Sequence, residues 1–135
     1  MKTYLLAGAA LLALAACAQK PPSLGPDVVV PAQAGLGAAQ IQQLVVGNTG
    51  SGPLSGSQVR YIIYVNADGN AELRLPTGIE PGKWRILSDG KFCTKWANFH
   101  DGEEYCQRVY PEGTAYKFLD RSMTSTLTFV PGRAL

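Results

Sequence analysis

The chain has 135 residues, 46% hydrophobic and 16% charged, with 12 Lys and Arg against 10 Asp and Glu. One small folded domain fits these values; a disordered chain, a fibrous repeat and a nucleic-acid-binding polycation do not. The basic residues are scattered singly between acids, so no basic stripe exists for nucleic acid.

Residues 1–17 carry one charge, Lys2, and apart from Thr3 and Gly8 the rest are Ala, Leu, Met, Tyr or Cys. A positive start followed by the apolar run Tyr4–Ala13 is the layout of a secretory signal, and it falls short of the roughly 20 apolar residues of a membrane span. The run ends in Leu14-Ala15-Ala16-Cys17, which resembles a bacterial lipobox. That resemblance implies a signal peptide over residues 1–16 and an acylated Cys17 as the first residue of the mature chain, with net charge +1 once Lys2 is removed. The alternative is a plain signal peptide cut after Ala13-Leu14-Ala15, leaving Cys17 as a free thiol. Two or three acyl chains hold a protein stably on a bilayer, at about 0.8 kcal/mol per buried CH₂. Ala18 follows the cysteine where an Asp would, by resemblance to enteric sorting, retain the protein at the inner membrane. The expected location is therefore the outer membrane, facing the periplasm.

Residues 17–37 form a Pro-rich stretch with few large side chains apart from Val28-Val29-Val30. It cannot bury enough apolar area to offset its ordering entropy, and it reads as a tether, with an edge strand at Val28–Val30 as the alternative. The single domain is expected over residues 38–135. Ala38–Val46 has good helix formers with Ile41, Leu44 and Val45 on one face and Gly47-Asn48 as a stop. So short a helix is unstable alone and must lay that face on the domain.

After Asn48 the apolar period changes from 3.6 to 2, and turn signals recur every eight to twelve residues, the pattern of an antiparallel meander. Seven strands are expected, at Gln58–Asn66, Ala71–Leu75, Lys83–Leu87, Phe92–Ala97, Glu104–Tyr110, Ala115–Leu119 and Thr124–Val130, forming a small barrel or sandwich with one short N-terminal helix. Pro76–Gly82 reads as a turn region, and the Gly/Ser-rich Asn48–Ser57 as a long loop. In Gln58–Asn66 the residues Ile62 and Tyr64 add apolar side chains to the second face, so the helix is expected to cover it.

Cys93 and Cys106 remain once Cys17 is assigned to lipid, and an exported location makes a disulfide their default state. Opposed cysteines in a hairpin have indices summing to 199, which sets Thr94 against Tyr105 and makes Ala97–Gly102 a wide loop. Alternation then places the sulfurs on the polar side with Lys95, Glu104 and Arg108, and Phe92, Trp96, Tyr105 and Val109 on the other. A thiolate metal or redox site is the competing reading, without the C-x-x-C spacing such sites use.

Leu44-x-x-Gly47-Asn48-Thr49, Tyr64 with Asp68-Gly69, Gly82-x-Trp84, Cys93-x-x-Trp96, Cys106-x-x-Val109-Tyr110 and Phe129-x-Pro131-Gly132 together resemble a family of small, uncharacterised exported proteins of proteobacteria. The resemblance covers Leu44–Gly132 and implies a compact antiparallel β domain with one disulfide, and no activity. A second resemblance, over Ser55–Tyr61, is to membrane-anchored inhibitors of C-type lysozyme. It implies a partner-binding role for Ser55, Arg60, Tyr61 and Tyr64, but Ala67–Leu73 lacks the lysine that assists in those inhibitors.

No cofactor, metal ligand set or catalytic residue is expected. His100, the only histidine, reads as a solvated loop tip. No G-x-S-x-G elbow is present, and Glu103 and Glu104, adjacent in a strand, would point to opposite faces. The functional expectation is an anchored envelope lipoprotein of interaction or maintenance type, with a periplasmic lysozyme inhibitor as the alternative and a small-ligand-binding barrel as the second.

Overall fold

The structure, a computed structural model, describes residues 34–54 and 57–135. The signal segment, Cys17, Val28–Val30 and Ser55 lie outside the described residues. A short helix, α1 (Ala38–Val45), precedes eight strands: β1 (Asn48–Pro53), β2 (Arg60–Val65), β3 (Asn70–Leu75), β4 (Gly78–Ile86), β5 (Lys91–Trp96), β6 (Tyr105–Glu112), β7 (Ala115–Leu119) and β8 (Thr124–Pro131). Each strand pairs antiparallel with the next, and β1 pairs with β8, so the sheet closes into a barrel.

Eight strands rather than seven result because Asn48–Pro53, read from its glycines as part of a loop, is β1, the staple of the closure. Gly50 and Gly52 face inward, opposite Ile63 and Tyr61 of β2. Neither position has room for a side chain. A Cβ at Gly50 would stand 2.7 Å from the Phe129 ring, and one at Gly52 would overlap the Thr126 carbonyl oxygen, whose carbon lies 2.9 Å away. The glycines therefore mark close approach of strands, not a flexible linker. A similar correction applies to Pro76–Gly82. Leu75 pairs with Gly78, leaving Pro76-Thr77 as a two-residue turn, and Pro81 and Gly82 lie within β4 against Glu72 and Ala71.

The interior holds Tyr61, Ile63 and Val65 from β2, Leu73 from β3, Phe92 and Trp96 from β5, Val109 from β6, Phe118 from β7 and Leu127 from β8, all at most 5% exposed. An eight-stranded barrel is just wide enough for such side chains to fill it. The helix does not cover the outside of β2, as the apolar second face suggested. Ile41 and Val45, fully buried, join the interior cluster, so α1 plugs one end of the barrel. It is held there by the Gly47 N–H on the Val65 carbonyl at 2.7 Å. Ile62 and Tyr64 stay half-buried on the outer wall. Leu36, in the stretch read as tether, donates to the Val109 carbonyl at 2.8 Å and so belongs to the folded unit.

Cys93 and Cys106 face each other at disulfide distance, Cα atoms 4.0 Å apart, with Thr94 opposite Tyr105 in the register derived from the cysteine spacing. The sulfurs lie on the outer wall. Above them Arg85 of β4 reaches across β5 to Glu104, whose carboxyl is held below its ordinary range by that guanidinium hydrogen bond. At the end of the chain, the Thr49 hydroxyl donates to the Gly132 carbonyl at 2.6 Å. Arg133 forms two bonds to Glu72 of β3, at 2.7 and 2.9 Å. Among the described residues no helix is long and apolar enough to cross a membrane.

Candidate functional site: the barrel mouth

The barrel has two unlike ends. At the α1 end the connections are short turns. At the other end, the mouth, the β1–β2, β5–β6 and β7–β8 connections converge, and the longest of them, between β5 and β6, holds a tight kinked turn at Phe99–Gly102.

Strand alternation sends Tyr61, Trp96 and Tyr105 into the barrel near this end. The Trp96 indole N–H donates to the Tyr105 hydroxyl at 3.1 Å, and the Tyr61 and Tyr105 hydroxyls lie 3.2 Å apart. Buried tyrosine and indole need such partners. Burial, with the Tyr105 hydroxyl beside it, raises the Tyr61 pKa well above the ordinary tyrosine value.

His100 closes the mouth over these rings. Its ring centroid lies 4.5 Å from that of Tyr105 and 4.6 Å from that of Phe99. Its Nε2 sits 3.2 Å from Sδ of Met123 in the β7–β8 connection. The expected solvated tip is thus a half-buried lid, because the imidazole gains more by covering the Tyr105 and Phe99 rings than by staying in water. Two carboxylates fix the two loops. Glu80, on the inward face of β4, accepts from the backbone N–H groups of Asn98 and Phe99. Asp120 Oδ1 accepts from the N–H groups of Ser122 and Met123, each at 2.7 Å.

The residues singled out from the sequence do not form one patch. Ser55 lies outside the described residues, although its neighbour Leu54 donates to the Val59 carbonyl at 3.1 Å, shaping the β1–β2 hairpin. Arg60 is exposed on the outer wall beside Ser51. Tyr61 points the opposite way and is 5% exposed, so it serves the core and cannot meet a partner directly. Tyr64, also on the outer wall, lies toward the α1 end. Glu103 and Glu104 precede β6 rather than sharing it, and Glu104 is engaged by Arg85.

Phe99 and Met123 were not singled out. Asp120-Arg121-Ser122 ahead of Met123 is a turn signal that sequence could have supplied, but its meeting with His100 depends on closure of the barrel. Among the described residues, Cys93, Glu104 and Cys106 bring metal-ligating atoms within 4.8 Å of one another. The two sulfurs are bonded to each other and present no thiolate. For hydrolysis the mouth is poorly equipped, since His100 Nε2 faces a thioether, which is neither an activatable nucleophile nor an orienting acid.

No family model, no curated protein and no solved structure matches the chain.

Proposed function

We propose that the chain is a lipid-anchored protein of the bacterial envelope, held by acylated Cys17 at the outer membrane, that works in envelope interaction or maintenance through its surface and its mouth. The supporting observation is the filled interior. Trp96, Phe118, Ile63 and Leu73 occupy it with 2% exposure or less, and Ile41 and Val45 close one end, which favours recognition on the outside over a ligand enclosed within. An oxidised cysteine pair on the wall agrees with an exported location.

A second reading is inhibition of C-type lysozyme. It is favoured by the position of the described part of the segment that resembles those inhibitors, residues 57–61, which enters β2 from the mouth and includes exposed Arg60.

Two experiments test these readings. Cys17→Ser should move the protein from a detergent-requiring membrane fraction to the soluble fraction, and a variant still bound to membranes would overturn the anchor. The wild-type protein, assayed against a C-type lysozyme at micromolar concentration, should inhibit only on the second reading. Inhibition abolished by Ser55→Ala and Arg60→Ala would place that reading first, and no inhibition would discard it.

A further inference from the structure

The lid over the mouth is built at a local conformational cost. His100 (φ 55°, ψ 38°) and Asp101 (φ 55°, ψ 25°) are the non-glycine residues in the left-handed region among those described, and Gly102 follows at φ 69°. Left-handed backbone is sterically disfavoured for an L-residue, although His and Asp tolerate it better than most. Glycine would accept these angles freely, as it does at Gly69, Gly90 and Gly113 in other turns. Strain of this kind concentrates where a side chain must be held in a particular place. Here it aims the only imidazole of the chain at the only methionine sulfur other than that of Met1.

We propose that His100 and Met123 form a binding site for a soft monovalent metal ion of the Cu(I) class at the barrel mouth. Three properties carry the inference. The first is donor chemistry. Imidazole nitrogen with a thioether selects soft ions, because a thioether is a poor ligand for the hard oxygen-seeking cations.

The second is geometry. Nε2 and Sδ are 3.2 Å apart. Taking the zinc distances of about 2.0 Å to imidazole nitrogen and about 2.3 Å to sulfur as a guide, that separation subtends about 95° at a shared ion. The two donors can therefore ligate together with only small movement.

The third is support. The two donors sit on different hairpin connections, one fixed by Glu80 and the other by Asp120, so the pair is prepared before any ion arrives. Such supporting contacts commonly carry a large part of a site's affinity. Asp101 and Glu103, exposed beside His100, add negative charge that favours a cation, and the Phe99 and Tyr105 rings pack against the imidazole. An N–H···S hydrogen bond between His100 and Met123 would account for their contact, but it would not account for paired left-handed residues serving one weak bond.

The test uses the full chain purified in detergent without reductant, so that the disulfide stays intact, and treated with N-ethylmaleimide to block any free thiol. Ag(I), a redox-inert probe of the same class, is titrated by calorimetry. Cu(I) held by ascorbate is then measured in competition with a coloured chelator. The wild type should bind one ion, and the methyl resonance of Met123 should shift as it loads. His100→Ala and Met123→Leu should each weaken binding by more than the roughly 10–100-fold that loss of a supporting residue costs. His100→Gly, which relieves the strain but also removes the imidazole from the Phe99 and Tyr105 rings, should keep the wild-type circular dichroism spectrum yet lose the ion, separating ligation from folding. Ag(I) binding equal in wild type and in Met123→Leu, or no binding by wild type at micromolar ion, would overturn the proposal.

Discussion

Gly52→Ala isolates the role of β1 in closing the barrel. Gly52 has an ordinary backbone conformation, absent from the positive-φ glycines, so alanine meets no torsional objection there. The obstacle is steric and comes from main chain. The new methyl would overlap the Thr126 carbonyl oxygen and lie 3.3 Å from Cδ2 of Leu127. A flexible side chain could swing away, but a strand carbonyl moves only if β1 and β8 separate. Overpacking a core costs about 1–3 kcal/mol, and a clash with backbone at the closing seam belongs at the upper end. For a domain of this size about 2–3 kcal/mol corresponds to a fall in Tm of about 10–20 °C. Ser51→Ala, the neighbouring outward position, should stay within about 0.5 kcal/mol of wild type. Thermal unfolding followed by circular dichroism measures both. If Asn48–Ser57 were a mobile connection, Gly52→Ala would instead stabilise by about 0.4–1 kcal/mol, through lower entropy of the unfolded chain. An unchanged or raised Tm would refute the strand and with it the closed barrel.

Two further outcomes are expected. Replacing Cys93 or Cys106 with Ser opens a loop of 13 residues' separation and should lower unfolding stability by about 2–5 kcal/mol in denaturant titration; two reactive thiols in the native, unreduced wild type would contradict the bridge. Arg133 holds the Glu72 carboxyl below its ordinary pKa, mainly through their hydrogen bonds. The native state then binds fewer protons than the unfolded one, so this contribution is present above the unfolded carboxylate pKa of about 4.3 and fades as pH falls through the lowered native value. Arg133→Ala should flatten the acid limb of a Tm-against-pH curve, and an unaltered limb would show that the pair contributes nothing.

Much of the barrel wall could be read from the residues themselves. Ala71, Leu73 and Leu75 alternating with Glu72 and Arg74 define a half-buried strand, and the two cysteines set a register that holds through Thr94 and Tyr105. Local pattern failed where small residues were selected by what lies across the barrel. Gly50 and Gly52 look like loop residues until Phe129 and Thr126 are seen opposite them. Pro81 and Gly82 look like a turn until the Trp96 ring is found lying against Gly82. The helix was legible from its apolar face, but the partner of that face was not, because an open sheet needs a cover on its surface whereas a closed barrel needs a plug. The mouth was least legible. His100 and Met123 stand 23 residues apart, and only the full circuit of strands brings them together.

The placement of α1 gives the barrel a direction. The chain meets the fold at Leu36, beside Val109, and makes its last bonds at Gly132, whose N–H bonds the Gly47 carbonyl, and at Ala134, whose N–H bonds the Thr49 hydroxyl. Both crossings occur at the plugged end. A resin or fused domain joined directly at either end of the described chain therefore stands behind the plug and leaves His100, Met123 and the β1–β2 hairpin facing outward. Insertions into the 65–70 or 111–115 turns would crowd the support, while insertions between Leu54 and Val59 would project at the free pole. An immobilised sample should accordingly present the same face whichever terminus holds it.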